Sequence, residues 1–523
     1  MWTKSDLQKL VQEKLGDYLF CVVSNRQPYI HVFKKGRIEC QRGVGGVISA
    51  LDPIMQTCQG TWVAYGNGQA DRHVTDNQGK LMVPEGSPRY TLKRVWLTKE
   101  EELGYYYGYS NEVLWPISHT AFRRPIFRRE DWEHYKKVNE KFARAVMEEV
   151  GNKKAFVWIQ DYHLCLLAKF LKQMAPAQII TAHFWHIPWP SYETFRICPQ
   201  RRELLEGLLA NDLLGFHIRY HCNNFFDVID REIESKIDRE RYSVFKGTHE
   251  TLIRPYPISV DFEGINQIAE SEDVRRHQET LIQEFELSNL KVIVGLDRID
   301  YTKGIPEKLR AVDRLLKNHP ELKEKIVLLQ IGVVTRLHLH EYKDLNDEIN
   351  SLVEEINWKH STDGWKPIVF VRRHFSLPEV LALYRIGDVG IVSSLHDGMN
   401  LVAKEYVSSR SDNGGMLVLS QFTGASRELT DAVLINPYDR NQFSDGIYTA
   451  LTLAEEDRQG RMMRMREIIQ HNNIFRWAGK IISDLLKFKF KDDEIKYKMS
   501  DPAESFRLSY PADHSKNQRA KDS

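Results

Sequence analysis

Two successive series of alternating strand-like and helix-like segments constrain the fold of this chain more than any other feature. The first series comprises segments at 18–23, 47–55, 135–150, 155–159, 165–174, 179–185, 201–209, 212–216 and 221–232. Short apolar runs predict the strands, and stretches of helical periodicity predict the helices between them. A parallel sheet covered by helices on both faces accommodates this alternation. The first half of the chain therefore predicts a doubly wound α/β domain.

The alternation restarts after the stretch 253–262. Pro255 and Pro257 predict an extended connector there, because proline fixes φ and disfavours helix just before it. The second series places strands at 291–296, 325–331, 367–371, 389–392 and 416–419, and helices at 306–316, 341–356, 378–386 and 401–409. We predict an α/β protein with two doubly wound, Rossmann-like domains, 1–258 and 259–473, which face each other across a catalytic cleft.

Three more helical patterns follow, at 442–453, 457–470 and 474–488. We expect the segment 474–490 to pack back on the N-terminal domain. Beyond it, 491–523 is charged and poor in aliphatic residues, which is typical of a polar tail.

The composition excludes several classes of function. With 523 residues and a formal net charge of +1, the chain is long enough for two domains and has no global field that would attract nucleic acid or anionic membrane. No apolar run approaches the roughly 20 residues of a membrane-spanning helix, and the N-terminus lacks the apolar core of a secretion signal. The six cysteines show no CxxC spacing, which argues against a zinc site and for reduced thiols. We expect a soluble cytoplasmic protein without a metal.

Charged residues follow predicted strands of the second series. Arg298 and Lys303 come just after a strand, and Asp397 and Glu405 bracket the start of a predicted helix. Because ligands of α/β sheets usually bind at the carboxyl edge, these residues predict a site where cations hold a diphosphate and carboxylates hold hydroxyls. The pattern leaves a structural alternative open, in which Asp397 is a helix cap and Glu405 pairs with Lys404 or another cation.

The first series offers weaker candidates. Gly45 and Gly46 precede a predicted helix and would let backbone N–H groups approach a phosphate, although a glycine pair also suits a plain turn. His186 closes a predicted strand, where it either reaches the cleft or forms a structural hydrogen bond. Asp161 follows another strand.

Two arginines and two aromatic residues complete the candidates. Arg26 and Arg336 follow predicted strands, and two such arginines could clamp a phosphate. Tyr106 and Trp115 lie in aromatic clusters, which supply either binding walls or core.

Taken in order, the motifs around these residues resemble the trehalose-6-phosphate synthase family of retaining glycosyltransferases, whose fold is of the two-domain GT-B type. The matching blocks are Val23-Ser-Asn-Arg26, Gly45-Gly46, Ser110-Asn-Glu-Val-Leu-Trp115-Pro, Asp161-Tyr-His-Leu, His186-Ile-Pro-Trp-Pro, Arg298-Ile-Asp-Tyr-Thr-Lys303-Gly, Asp397-Gly-Met-Asn-Leu-Val-Ala-Lys-Glu405-Tyr-Val and Leu419-Ser-Gln-Phe-Thr-Gly-Ala-Ser. They cover most of residues 18–490, and the combination is specific.

The resemblance implies that glucose moves, with retention, from UDP-glucose to glucose 6-phosphate, giving α,α-trehalose 6-phosphate and UDP. The implied catalytic and donor-binding residues are Arg298, Lys303, His186, Asp397, Gly45, Gly46, Phe375, Asn400, Leu401, Val402 and Glu405. The implied acceptor-binding residues are Arg26, Tyr106, Trp115, Asp161 and Arg336. Arg298 and Lys303 would stabilise the departing UDP, so neither a metal nor an organic cofactor is expected. The resemblance further implies a homo-oligomer and a separate trehalose-phosphate phosphatase.

Several positions depart from the family pattern. Gln160 stands where His is common, Val334-Thr-Arg336 replaces Pro-Ser-Arg, and His396 replaces Arg. The stretch 232–251 resembles an insertion that would alter oligomer contacts. Two rival functions remain: a glucosylglycerol-phosphate synthase, with glycerol 3-phosphate as acceptor, and a non-catalytic sensor of sugar phosphates. A preference for GDP or ADP donors is also open.

Overall fold

The first half of the chain forms a large, mainly parallel sheet. The computed structural model describes residues 2–16, 18–43, 45–334 and 339–490. Its first twelve strands are β1 Leu19–Ser24, β2 Tyr29–Lys34, β3 Arg37–Arg42, β4 Thr61–Tyr65, β5 Lys80–Val83, β6 Tyr90–Val95, β7 Ala155–Gln160, β8 Ile179–Phe184, β9 Leu213–Phe216, β10 Lys236–Asp238, β11 Ser243–Lys246 and β12 His249–Pro255. Ten of them join in the order β10-β11-β12-β9-β8-β7-β1-β4-β6-β5, while β2 and β3 form a separate hairpin.

Helices cover this sheet. They are α1 Lys4–Lys14, α2 Gly46–Cys58, α3 Lys99–Glu101, α4 Trp115–His119, α5 Arg129–Val150, α6 Leu167–Met174, α7 Tyr192–Phe195, α8 Arg201–Leu208 and α9 Arg219–Glu232. A π-helical segment, Glu102–Leu114, joins α3 to α4. Its wider turns place Tyr105 and Tyr109 in the core beside Tyr135 of α5.

The second half forms a six-stranded parallel sheet. Its strands are β13 Lys291–Arg298, β14 Ile326–Val333, β15 Ile368–Val371, β16 Val389–Val392, β17 Met416–Ser420 and β18 Val433–Ile435, in the order β15-β14-β13-β16-β17-β18. Its helices are α10 Phe262–Ala269, α11 Glu272–Glu284, α12 Ile305–Asn318, α13 His340–His360, α14 Leu377–Ile386, α15 Leu401–Ser409, α16 Arg440–Thr452, α17 Glu455–His471 and α18 Ile474–Leu485.

The fold class predicted from the sequence is confirmed, since both halves are α/β units built on parallel strands. One detail of the prediction was wrong. The stretch 253–262 does not begin as a connector, because residues up to Pro255 belong to β12, which pairs with β9 in parallel. The insertion-like stretch 232–251 supplies β10 and β11, which extend the sheet as an antiparallel edge.

Each sheet has one point where the strand order reverses. The chain leaves β1 for β4 on one side and returns to β7 on the other; it leaves β13 for β14 and returns to β16. At such a point the loops after the two central strands diverge and leave a crevice at the carboxyl edge, where α/β proteins bind ligands. The loops after β1, β7, β13 and β16 therefore mark the site.

The chain crosses between the halves twice. After β12 it enters the second half through Val260, and after α17 it returns as α18, where the Ile474 N–H donates to the Val260 carbonyl at 3.0 Å. Trp477 of α18 packs 4.9 Å from the ring of Trp158 in β7 and donates to the Tyr256 carbonyl at 3.1 Å. The segment 491–523 lies outside the described residues. None of the described helices combines the length and the apolar character that spanning a membrane would require.

Candidate active site

The loop after β13 carries Lys303 in a short 3₁₀ turn, Tyr301–Lys303. Asp300 begins this turn, because its carboxylate accepts from the Thr302 N–H at 3.0 Å and the Thr302 hydroxyl at 2.9 Å. Gly304 ends it at φ +63°, and a Cβ there would lie 2.3 Å from the Ser393 carbonyl oxygen. The loops after β13 and β16 consequently pack directly against each other, as glycine permits.

Lys303 and Asp397 form the central ion pair of the site. Lys303 Nζ lies 2.5 Å from Asp397 Oδ2, and both side chains are largely buried. The same oxygen accepts from Asn400 Nδ2 at 3.1 Å and the Ser394 hydroxyl at 3.2 Å. Burial alone would raise the pKa of Asp397, but the charge and hydrogen bond of Lys303 outweigh it and lower that pKa to about 2. Asp397 is therefore a permanent carboxylate.

Helix α15 begins beside this pair. Its N-cap is Asn400, at φ +72°, whose Oδ1 accepts from the Ala403 N–H at 3.3 Å. The remaining N–H groups of the first turn, which include those of Leu401 and Val402, are the anion-binding groups that a helix N-terminus offers. Asp397 is thus not the helix cap, which removes the structural alternative for this residue.

Glu405 lies one turn into α15 and is not paired with Lys404. Lys404 binds Glu428 at 2.6 Å and the Ile258 carbonyl at 2.8 Å. Glu405 instead accepts from the Tyr384 hydroxyl at 3.3 Å. Burial raises the pKa of Glu405 to about 7. A buried carboxyl with one weak partner has the capacity to accept ligand hydroxyls.

Arg298 ends β13 and faces the first half of the chain. Its guanidinium carbon lies 5.5 Å from the ring centroid of Trp115, at the start of α4. Burial raises the pKa of Asp161 to about 7, and the positive charges of Arg26 and Arg298 act on this carboxyl in the opposite direction. Arg26, Asp161, Arg298 and Trp115 are therefore neighbours, although they come from four separate elements.

His186 follows β8 and is held by the loop after β7. Its backbone N–H donates to Asp161 Oδ1 at 3.3 Å, and its Nε2 lies 2.9 Å from Gln160 Oε1. Gln160 Nε2 donates to the Trp158 carbonyl, so Oε1 faces the ring and can only accept. Nε2 of His186 consequently carries the proton, and Nδ1 keeps its lone pair. Burial holds the pKa of His186 well below its usual value, so the ring is neutral.

The two halves meet at glycines beside these residues. A Cβ on Gly398, next to Asp397, would lie 2.2 Å from the His186 carbonyl oxygen. A Cβ on Gly46 would lie 3.0 Å from Leu401. Close approach across the cleft therefore depends on the absence of side chains at Gly398 and Gly46. Within the first half, a Cβ on Gly45, at φ +135°, would lie 3.2 Å from Arg26 Nη1.

Two predicted residues lie at the margins of this cluster. The Tyr106 ring stacks on His163 at 5.7 Å. Phe375 precedes α14 and lies under the Arg373 guanidinium at 4.4 Å. Arg336 lies outside the described residues.

Sequence reasoning missed two contributors. Ser394, like the predicted Asn400, binds Asp397, and His119 is close enough for the charge of Asp397 to act on it; burial is the main cause that lowers the pKa of His119 to about 4. Proximity in sequence offered a signal for Ser394, three residues before Asp397. His119 carries no such signal, since the fold alone brings α4 to the second half.

Comparison with known proteins agrees with this geometry. The family model described as glycosyltransferase family 20 matches residues 19–487. The chain belongs to glycosyltransferase family 20. Among curated relatives, a trehalose-6-phosphate synthase from Mycobacterium ulcerans is 36% identical over 482 residues, which are 90% of this chain and 95% of that protein.

Solved structures of the family share the fold. One from E. coli, bound with UDP-2-fluoro glucose, superposes with a TM-score of 0.80 at 30% identity and covers 90% of this chain and 99% of that one. An α,α-trehalose-phosphate synthase (UDP-forming) from Burkholderia xenovorans, in complex with glucose-6-phosphate, superposes with a TM-score of 0.80 at 30% identity. The match covers 89% of this chain and 100% of that one. The GT-B fold expected from the sequence is thereby confirmed.

Proposed function

We propose that this protein transfers glucose from UDP-glucose to glucose 6-phosphate with retention, and so forms α,α-trehalose 6-phosphate and UDP in trehalose biosynthesis. One observation carries the proposal: the crevice of the second sheet presents Lys303, Asp397 and the start of α15, and it meets His186 of the first sheet at Gly398. Family membership and relatives named for this synthase activity support it.

The positive groups of the second half act on the leaving group. Arg298, Lys303 and the first turn of α15 would bind the diphosphate and stabilise the charge that develops as the bond from the sugar to UDP breaks. Asp397 fixes Lys303 at the end of its loop by the 2.5 Å contact. Fixed cations of this kind replace a divalent metal, so we propose that the transfer step requires neither metal nor cofactor. Turnover should then persist, within about twofold, after treatment with a chelator.

The hydroxyls of the donor need side chains that accept hydrogen bonds. Asp397, whose pKa is lowered to about 2, is ionised and accepts near neutral pH. Neutral His186 presents a free lone pair at Nδ1, and Glu405 would accept from the ribose. Close contact of the halves at Gly46 and Gly398 would exclude water and limit hydrolysis of the donor.

The acceptor would bind on the side of the first half. Asp161, which has the backbone N–H of His186 as a partner, suits a sugar hydroxyl, and Arg26 beside Gly45 suits the 6-phosphate. Trp115 and Tyr106 would form the walls, and Arg336 would supply a second phosphate contact. The departing phosphate would then take the proton of the attacking acceptor hydroxyl on the same face of the sugar, which retains the configuration without a protein nucleophile.

A matrix of substrates tests the proposal. The protein is incubated with UDP-, GDP- or ADP-glucose against glucose 6-phosphate or glycerol 3-phosphate, and products are identified by mass spectrometry and NMR of the new linkage. We expect α,α-trehalose 6-phosphate, formed fastest with UDP-glucose. A product made only from glycerol 3-phosphate would instead indicate a glucosylglycerol-phosphate synthase. Tight binding of sugar phosphate without turnover would indicate a non-catalytic sensor. The size of the oligomer in solution tests the expected homo-oligomer, and expression beside a separate phosphatase tests the expected route to trehalose.

A further inference from the structure

The hairpin β2–β3 brings together three metal-binding side chains away from the catalytic cluster. His31 of β2 and Cys40 of β3 are direct cross-strand partners. Glu85, in the turn between β5 and β6, lies across from them, with Oε1 3.5 Å from His31 Nε2. One ligand atom from each of the three residues lies within 4.8 Å of the others. Such a set of thiol, imidazole and carboxylate is the type that zinc prefers.

His31 is oriented as a metal ligand. Its side chain is 1% exposed, and its Nε2 has no hydrogen-bond partner among the described residues. On the other side of the ring, Nδ1 lies 3.5 Å from Asp71 Oδ1. A carboxylate behind a histidine ligand favours the tautomer that leaves Nε2 free for the metal.

Arg94 can accommodate this tautomer. Its Nη2 lies 2.8 Å from His31 Nδ1, but also 3.0 Å from Asp71 Oδ1 and 3.1 Å from the Tyr29 carbonyl. When Nδ1 carries the proton, Arg94 retains these two acceptors, but its N–H groups and the Nδ1–H would face each other at 2.8 Å, so the His31 ring must turn toward Asp71 when the metal binds.

We propose that His31, Cys40 and Glu85 bind one zinc ion, with a fourth position open to water. Tetrahedral zinc needs ligand atoms about 3.3–3.8 Å apart, so the three atoms must close in by up to about 1.5 Å. Glu85 is 66% exposed and free to rotate inward. Zinc binds thiolate, imidazole and carboxylate, so binding of the ion releases protons.

The ion would tie the hairpin to the body of the first half. The hairpin spans the chain between Arg26, which follows β1, and Gly45, which precedes α2. Zinc would cross-link both of its strands to the turn that carries Glu85. The site is independent of the sugar-transfer proposal, because none of its three ligands belongs to the catalytic cluster. It also revises the expectation from cysteine spacing: a His and a Cys nine positions apart carry no recognisable motif, and only the hairpin register pairs them.

Cobalt provides a spectroscopic test at pH 8 with the full chain. We expect Co²⁺ to bind at one equivalent and give a thiolate-to-cobalt charge-transfer band with the visible bands of a four-coordinate ion, and Zn²⁺ to abolish both. The variant Cys40→Ser should lose the charge-transfer band, and Glu85→Gln should weaken binding at least about tenfold. Glu39→Gln, which removes a neighbouring hairpin carboxylate paired with Lys34, serves as the matched control and should bind normally.

Alkylation gives a second measurement that does not depend on cobalt. All six cysteines are described, and Cys40 is the one that is not buried, so a thiol reagent applied to the native protein reports on it. Zinc should slow its modification at least about tenfold, and it should raise the melting temperature of the parent protein but not of Cys40→Ser. Cys40→Ser should keep sugar transfer within about twofold. Unchanged alkylation in excess zinc, or a cobalt spectrum without a thiolate band, would overturn the proposal.

Discussion

The pKa values of three carboxyl groups at the site reflect the balance of burial against positive charges and hydrogen bonds. Asp397 touches Lys303, and its pKa is lowered to about 2. The pKa values of Asp161 and Glu405 are raised to about 7, because burial outweighs the more distant charges around Asp161 and the single tyrosine hydroxyl beside Glu405. Residue types alone, which the sequence provides, could not distinguish these three environments.

Removing Lys303 should affect chemistry more than binding. In Lys303→Ala we expect kcat to fall about 100-fold or more, because the leaving diphosphate loses a fixed cation worth a few kcal/mol in the transition state. Arg298→Ala should act in the same direction. The matched control Lys317→Ala removes an exposed lysine paired with Asp313 and should stay within about twofold. Steady-state kinetics in both substrates is the measurement, and near-normal kcat in both site variants would contradict the assigned clamp.

Gln160 is a positioning residue whose effect acts through His186. In Gln160→Leu, Nε2–H of His186 loses its acceptor, so the ring is free to change tautomer and Nδ1 no longer stays an acceptor. We expect kcat/KM to fall about tenfold with a changed pH profile. Gln160→His restores a ring nitrogen that can accept, and it should retain activity within about fivefold. Equal activity and identical pH profiles in all three proteins would exclude this role.

The raised pKa of Asp161 predicts that increasing pH weakens the fold but strengthens binding of the acceptor. This pKa is about 7 in the folded protein and near 4 in the unfolded chain, so the fold disfavours the ionised carboxylate. The free energy of unfolding therefore decreases as pH rises from about 4 to 7. Asp161→Asn should therefore stabilise the protein at pH 8 by about 1–3 kcal/mol in urea unfolding. It should also raise the acceptor KM about tenfold or more at that pH.

Between pH 8 and 6.5 the acceptor KM of the parent protein should rise, because Asp161 becomes protonated. The same titration in Asp161→Asn should show only the part that comes from the substrate phosphate. A parallel pH dependence in both proteins would assign the effect to the phosphate alone.

The strands and helices that position the site were predicted where a segment is apolar throughout or strongly periodic. The predicted strands at 155–159, 179–185, 389–392 and 416–419 correspond to β7, β8, β16 and β17. Strands β4 and β6 and helices α10 and α11 were missed, although Thr61–Tyr65 is almost wholly apolar and both helices are amphipathic. The π-helical turn before Trp115 follows from its packing against α5, which no local pattern records.

The loop before α15 is tightly constrained at Gly398. Adding a Cβ there would create contacts of 2.2 Å with the His186 carbonyl oxygen and 2.9 Å with His217. In Gly398→Ala the two halves must separate, so we expect kcat/KM to fall at least about tenfold while most of the fold is retained. The control Gly460→Ala, on α17, meets only the end of Arg464 at 3.4 Å and should be neutral or slightly stabilising. Activity together with circular dichroism distinguishes local obstruction from unfolding.

At the level of the whole molecule, the division into two α/β units was predictable because the alternation restarts. Beyond the expected return of 474–490 to the N-terminal domain, the contacts that join the units were not predictable, since they link residues far apart in sequence. Tyr256 donates to Asp484 at 2.5 Å, and Asn473 donates to the Trp2 carbonyl at 2.7 Å. These bonds bring the N-terminus, the end of β12 and helix α18 together. The sequence of each segment by itself contains no pattern that predicts this contact.

Helix α18 should contribute strongly to stability. Trp477 is 3% exposed and contacts Trp158 and Phe184, so Trp477→Ala should lower the free energy of unfolding by about 3–5 kcal/mol. Trp358→Ala is the matched control, because that side chain is 89% exposed and should cost little. Urea unfolding followed by circular dichroism measures both. Equal midpoints for the two variants would show that α18 is not needed to hold the first half.

The paired crossings at Val260 and Ile474 restrict how the enzyme can open. A single linker would let the halves swivel in any direction, whereas two adjacent backbones bridged by the bond at 3.0 Å resist twisting and permit bending about one axis. Opening for substrate exchange would then follow a fixed arc, and each closure would return His186 and Asp397 to the same separation without a search over orientations.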